Sequence, residues 1–205
     1  MNITNEDNMK LMARYEDNHF DLAIVDPPYG IDIANMNMGA GEGKRCSKLK
    51  NRNWTPKDWD NGIPSEKYFK ELFRVSKNQI IWGGNYFDLP PSQYFAIIDK
   101  GEGMYGRSFA ECEYAWVRKG GTRILKINPV QKDRIHPTQK PICLYEWLLM
   151  NYAKEGDKIL DTHGGSMSIA LACHNLKFDL TLCELDIEYY EAGLKRLKQH
   201  QKQIR

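Results

Sequence analysis

Several things are missing from this 205-residue chain, and each absence narrows the reading. No stretch approaches 18 consecutive apolar residues, so no membrane-spanning helix is expected. The first residues, Met1-Asn2-Ile3-Thr4-Asn5-Glu6-Asp7, carry no basic segment followed by an apolar one, so no export signal is expected either. The five cysteines (Cys46, Cys112, Cys143, Cys173 and Cys183) are odd in number and contain no Cys-x-x-Cys pair. That argues against a zinc site and a disulfide framework, and for reduced thiols in a cytoplasmic protein without a metal. Neither sign of charge is in excess. Twenty-nine Lys and Arg against 27 Asp and Glu leave a net charge of +2, so attraction to an anionic partner has to be local. There is no internal repeat and no Gly-x-x-x-x-Gly-Lys phosphate loop.

What is present is an ordinary globular composition, 41% apolar and 27% charged, long enough for a substantial core in one domain spanning residues 1–205. Short apolar runs rich in β-branched and aromatic residues predict strands at Leu22 to Val25, Gln79 to Trp82, Tyr94 to Ile98, Tyr114 to Val117, Lys158 to Leu160 and Leu180 to Leu185. Helical spacing of apolar residues predicts helices between them. The first runs from Glu66 to Val75 with Ser65 as cap, and the second from Ile142 to Ala153, opened by Pro141. A third covers Ser166 to Asn175, and a fourth follows Asp186 as cap. Alternating strands and helices imply an α/β fold, a doubly wound and mostly parallel sheet covered on both faces.

Three segments carry chemistry. Asp26-Pro27-Pro28-Tyr29 follows the first strand. Two prolines make a stiff corner without N–H donors, so the Asp26 carboxylate and the Pro27 carbonyl can both accept from one NH₂ group while the Tyr29 ring stacks on a flat partner. That arrangement suits the amino group of a nucleobase. Ile33 to Ile63 then runs without periodicity. It carries Lys44, Arg45, Lys48, Lys50, Arg52 and Lys57, with no acid among residues 44–57 and with Trp54 and Trp59 nearby. Basic residues interleaved with aromatics, leaving directly from the corner, point to a DNA-contacting loop at about 33–63. The third segment is Lys158-Ile159-Leu160-Asp161 running into Thr162-His163-Gly164-Gly165-Ser166 and a helix. A strand, a glycine corner and a helix N-terminus cradle a nucleotide, and Glu184, 19 residues beyond Gly165, is placed to accept from ribose hydroxyls. Without a phosphate loop, the expected ligand is an adenosine lacking a pyrophosphate.

Between the corners lies His136-Pro137-Thr138-Gln139-Lys140-Pro141. With Asp-Pro-Pro-Tyr first, this string next and the glycine corner last, the chain resembles β-class DNA amino-methyltransferases over nearly its whole length. The resemblance implies a Rossmann-like methyltransferase fold in circularly permuted order. It implies S-adenosylmethionine as cofactor and DNA as partner, with transfer to adenine N6 or cytosine N4, and Asp at the first position favours adenine. It implies a catalytic set of Asp26, Pro27 and Tyr29, and cofactor contacts from Asp7, Thr138, Lys140, Asp161, His163, Gly165, Ser166 and Glu184. Asn5-Glu6-Asp7 matches the acidic segment that holds the cofactor adenine. Trp82-Gly83-Gly84-Asn85-Tyr86-Phe87 resembles the lining of the target-base pocket.

The family pattern Phe-x-Gly-x-Gly is here His163, Gly165 and Met167, so Met167 either narrows the cofactor site, the favoured expectation, or turns into the helix–sheet core, and a DNA-binding relative with impaired cofactor binding is a rival reading. Few residues remain for target recognition. Either the basic loop does that work or a second subunit, as in a homodimer, contributes. A cognate restriction nuclease is not readable from the sequence.

Overall fold

The structure, a computed structural model, describes residues 1–33, 55–106, 110–128, 131 and 133–203. Its strands are β1 (Asn2–Asn5), β2 (Leu22–Val25), β3 (Gln79–Trp82), β4 (Tyr94–Asp99), β5 (Cys112–Val117), β6 (Arg123–Lys126), β7 (Lys158–Asp161) and β8 (Asp179–Glu184). Its helices are α1 (Asn8–Met12), α2 (Glu66–Val75), α3 (Ile142–Tyr152), α4 (Ser168–Leu176) and α5 (Ile187–Gln203). The described strands join one sheet in the order β1-β8-β7-β2-β3-β5-β4-β6. Only β5 among them runs against the rest, pairing antiparallel with β3 and β4. The expected doubly wound, mostly parallel sheet is therefore what forms.

Period-two alternation divides the central strands between two cores. Leu22, Ile24, Ile80, Trp82 and Ile159 face one side, packed with Leu144, Leu148 and Leu149 of α3, Ile169 to Cys173 of α4 and Leu197 of α5. Ala23, Val25, Ile81 and Leu160 face the other, under Leu11 and Met12 of α1 and Tyr68, Phe69, Leu72 and Val75 of α2. Every residue of β2 and β3 is buried, as continuous apolar runs require when both faces are covered. Each large side chain so buried contributes about 1.5–3 kcal/mol.

The chain leaves β2 toward β3 on one side of the sheet, whereas β7 and β8 return on the other. The order thus reverses beside β2, and β2 pairs directly with β7 (Leu22 with Ile159, Ala23 with Leu160). A crevice opens at the carboxyl ends of strands at such a switch point.

Some elements differ from expectation. The polar β1 and the five-residue α1, too short to show a helical apolar period, were not anticipated. Strand β6, which was not among the expected strands, forms the sheet edge, where Arg123 and Lys126 bracket Ile124 and Leu125. Ser65 occupies the cap position of α2 without a side-chain cap hydrogen bond. Asp186 does cap α5, accepting from the backbone of Glu188 (2.9 Å) and Tyr189 (3.2 Å).

Helix α4 begins at Ser168, not Ser166, because Met167 takes a left-handed conformation (φ +56°) before it. That backbone explains why the family favours glycine here. The expectation that Met167 narrows the cofactor site is overturned. Its side chain is fully buried between α4 and α5, so close to Gly193 that a Cβ there would lie 2.6 Å from the Met167 Cγ. Removing a buried methionine costs about 2–5 kcal/mol in lost contacts and cavity, more than the roughly 1–2 kcal/mol that relief of a left-handed residue returns. Met167→Gly is therefore expected to lower stability. Denaturant unfolding checks it, and a stabilised variant would contradict the packing assigned to this side chain.

Candidate active site

The corner after β2 and the corner after β7 share one cavity of about 350 Å³. Asp26 and Pro28 line it from the first side, and Thr162, His163, Gly164, Gly165, Ser166 and Ser168 from the second. Thr138, Gln139 and Lys140 also line it, as do Glu6, Asp7, Glu184 and Tyr189.

Local hydrogen bonds hold each part. Gly164 donates to the Cys183 carbonyl (2.9 Å), so closely packed on β8 that a Cβ would lie 2.5 Å from Leu182. Gly165, at φ +47°, donates from its N–H to Glu184 Oε2 at 2.6 Å, and Asp186 N donates to Oε1 at 2.8 Å. The glycine corner and the acid on the next strand, linked in the sequence only by spacing, are in direct contact. Ser168 Oγ donates to the Lys140 carbonyl (2.7 Å), which ties the His-Pro-Thr-Gln-Lys-Pro segment to the start of α4. Arg196 of α5 donates to the Ser166 carbonyl at 2.7 Å.

The structure brings most sequence-predicted residues to this cavity, with some in other roles than expected. Asp7 caps α1, accepting from Met9 N (3.0 Å) and Lys10 N (3.1 Å), and still lines the cavity. Thr138 Oγ1 pairs with His136 Nδ1 at 3.1 Å. His163 lies between Asn8 Nδ2 (3.2 Å) and Thr162 Oγ1 (3.0 Å), and burial lowers its pKa to about 4, so it stays neutral. Burial likewise lowers His136 to about 3, with Lys140 adding to the effect. Asp161 is not a wall residue. It sits beneath the corner, 3% exposed, accepting from His163 N at 2.9 Å.

The Asp26 carboxylate already has two donors. Tyr29 Oη donates to Oδ1 at 2.6 Å, and Lys140 Nζ donates to Oδ2. Lys140 thus contacts the Asp-Pro-Pro-Tyr corner, which the resemblance did not imply. The Tyr29 ring stacks on Tyr86 (4.8 Å between centroids, 9° between planes) and lies against Gly83, where a Cβ would come within 2.4 Å of it. Pro27 is buried behind the corner.

Asp60 is a residue that sequence reading missed. Buried to 1% exposure, it accepts from Tyr29 N (2.7 Å) and Gly30 N (3.0 Å) through Oδ1 and from Ile33 N (2.8 Å) through Oδ2. It therefore fixes the backbone that carries Tyr29. A Trp-Asp-Asn-Gly string signals a turn and gives no hint of this contact. Lys44, Arg45, Lys48, Lys50 and Arg52 lie outside the described residues. Lys57, counted with them in the sequence, instead pairs with Asp186 and Glu188, both at 2.6 Å.

The sheet's switch point brings an Asp-Pro-Pro-Tyr corner and a glycine corner to one cavity of an α/β fold. Comparison with known proteins finds DNA methyltransferases. A family model described as DNA methylase matches residues 108–195. The type II methyltransferase M.HpaI of Haemophilus parainfluenzae is 25% identical over 92% of this chain and 71% of its own length. Among solved structures, the M1.HpyAVI–SAM complex superposes with a TM-score of 0.60 at 16% identity, covering 96% of this chain and 98% of that one. The cytosine-N4-specific PvuII DNA methyltransferase gives 0.57 at 11%, covering 98% and 91%. By these comparisons the chain is similar to DNA methyltransferases of the N6/N4 type.

The buried acid makes a prediction about pH. Burial pushes the Asp161 carboxyl up to about 8 against the His163 N–H, with Asp26 and Glu184 adding to the rise. Its folded pKa lies above its unfolded value of about 3.9, so between them the native state holds a proton that the unfolded chain releases. Asp161 therefore destabilises the fold progressively as pH rises from about 4 to about 8. His136 and His163 work the other way, but only below the unfolded histidine pKa of about 6.5. Compared with Asp161→Asn, the native protein should lose stability from pH 6.5 to 8, by at most about 1.4 kcal/mol per pH unit. Paired denaturant melts across that window check this, and a constant difference would show that Asp161 is ionised in the fold.

Proposed function

We propose that this chain is a site-specific DNA methyltransferase that moves a methyl group from S-adenosylmethionine to the exocyclic N6 of a flipped-out adenine. The observation that carries the reading is the placement of Asp26, at the end of β2, in the same cavity as the glycine corner of β7.

The cavity suits S-adenosylmethionine. Its lining includes the acids Glu6, Asp7 and Glu184, and this matches ribose hydroxyls, an adenine amino group and a cationic sulfonium. Glycine at 164 and 165 lets a ligand approach the backbone. When bound, the cofactor supplies an electrophilic methyl group. The chain's residues do the rest. A base in a duplex cannot reach Asp26, so it flips out, and Tyr29 replaces the stacking it loses. The Asp26 carboxylate and the Pro27 carbonyl accept the two amino hydrogens, which localises the nitrogen lone pair and stabilises the positive charge that develops there. Holding amine and methyl in line supplies much of the remaining acceleration. Asp rather than Ser at position 26 favours adenine. The likeness to PvuII methyltransferase, a cytosine-N4 enzyme, supports N4 of cytosine as the second reading.

Incubation with labelled S-adenosylmethionine and mixed-sequence DNA, followed by digestion to nucleosides, tests both. N6-methyladenine is the expected product, N4-methylcytosine would transfer the chain to the second reading, and no incorporation would sink both. Asp26→Ala should reduce methyl transfer by about 10²-fold or more while leaving cofactor binding nearly intact.

The DNA-contacting role of Lys44, Arg45, Lys48, Lys50 and Arg52 belongs to the same proposal, supported by their density and by their position after the Tyr29 corner. Replacing them with Ala should flatten the salt dependence of DNA binding, by roughly 0.9 in log–log slope for each lost phosphate contact. An unchanged slope would exclude them from the interface.

A further inference from the structure

An alternating row of charges reaches the catalytic corner from the antiparallel part of the sheet. Lys100, just after β4, holds Glu113 Oε1 of β5 at 2.8 Å. Glu113 Oε2 lies 4.0 Å from Lys140 Nζ, and Lys140 donates to Asp26 Oδ2. The row ends at the Tyr29 hydroxyl on Asp26 Oδ1. Lys140 is deeply buried, its side chain 9% exposed, with its ammonium 5.2 Å above the Trp82 ring. Burial alone would lower its pKa. The carboxylates of Asp26 and Glu113 outweigh burial and hold its pKa above the ordinary lysine value.

We propose that Lys140, set between Glu113 and Asp26, is a positioning residue for methyl transfer, and that Glu113 positions Lys140. The inference rests on the methyltransferase reading of Asp26. An ionised carboxylate offers about four acceptor sites. With Tyr29 and Lys140 each taking one on opposite oxygens, the carboxylate plane cannot turn, and its remaining lone pairs keep one direction for the incoming amine. That is preorganisation of the acceptor before the base arrives. A cation alone beside a nitrogen that becomes positive would oppose the reaction. Glu113 balances that charge, which gives a reason for an acid at this point of β5. The resemblance implied a cofactor contact for Lys140, and the geometry instead aims its ammonium at the target-side carboxylate.

Lys140→Met, Glu113→Gln and the double variant test this, alongside Asp26→Ala. Steady-state kinetics on saturating DNA would be read together with calorimetric titration of S-adenosylmethionine. Lys140→Met should lower kcat by about 10²-fold while the cofactor Kd moves less than about threefold. Glu113→Gln should lower kcat about tenfold, again without weakening the cofactor, and the double variant should be no worse than Lys140→Met, since the two act through one path. An unchanged kcat, a loss confined to cofactor Kd, or additive losses in the double variant would overturn the proposal. Should Lys140→Met not fold, the isosteric Glu113→Gln decides alone, by a fall in kcat at constant Kd or by no change. Activity retained in Asp26→Ala would instead overturn the parent reading. A dead Asp26→Ala beside fully active Lys140 and Glu113 variants would overturn this inference only.

Discussion

The parallel pairing of β2 with β7 is the constraint on which the rest depends. These strands are distant in sequence, and their contact brings the acceptor corner at Asp26 to the same sheet edge as the glycine corner at Gly165. A shift of one residue would turn Leu22 and Ile24 to the wrong face and empty both cores at once, so the register is strongly specified. Packing precision is thereby converted into precision at the site. The cavity lies where strand order reverses, and its two chemical walls come from the two halves of the chain.

Around this seam, charge is held in place by local geometry rather than by exposure to water. Glu184 is satisfied by the N–H groups of Gly165 and Asp186, and Asp60 by three backbone N–H groups beyond the Tyr29 corner. Each acid is a ligand for backbone, and so each shapes a loop. Asp60 binds residues 29–33, while Lys57 fastens the approach to Asp60 onto the first turn of α5. Both flanks of the segment 34–54 are in this way anchored beside the cavity.

Much of the scaffold was legible in advance because its signals are local. The apolar runs of β2, β3 and β7 state their burial outright, and the stripe Tyr68, Phe69, Leu72 states the inner face of α2. Where pattern was weak, reading failed. Strand β6 is four residues of mixed character at an edge, and the short β1, Asn-Ile-Thr-Asn, is held by its pairing with β8. Their strand character comes from hydrogen bonds to distant chain and leaves little mark on their own composition.

The sequence by itself determined the class of fold, the order of its halves, the Asp26 corner and the acid-and-glycine pair Glu184 and Gly165, because proline, glycine and apolar periodicity act through near neighbours. Only the tertiary structure decided that Met167 turns into the α4–α5 core, since the direction of a side chain at a left-handed residue depends on the space left by Gly193. It alone decided that Lys140 meets Asp26, 114 positions away in the sequence, that Glu113 backs Lys140, and that Asp60 holds the Tyr29 backbone. Those contacts join residues from separate elements, and a charged side chain in a sequence does not state which opposite charge the fold will set beside it.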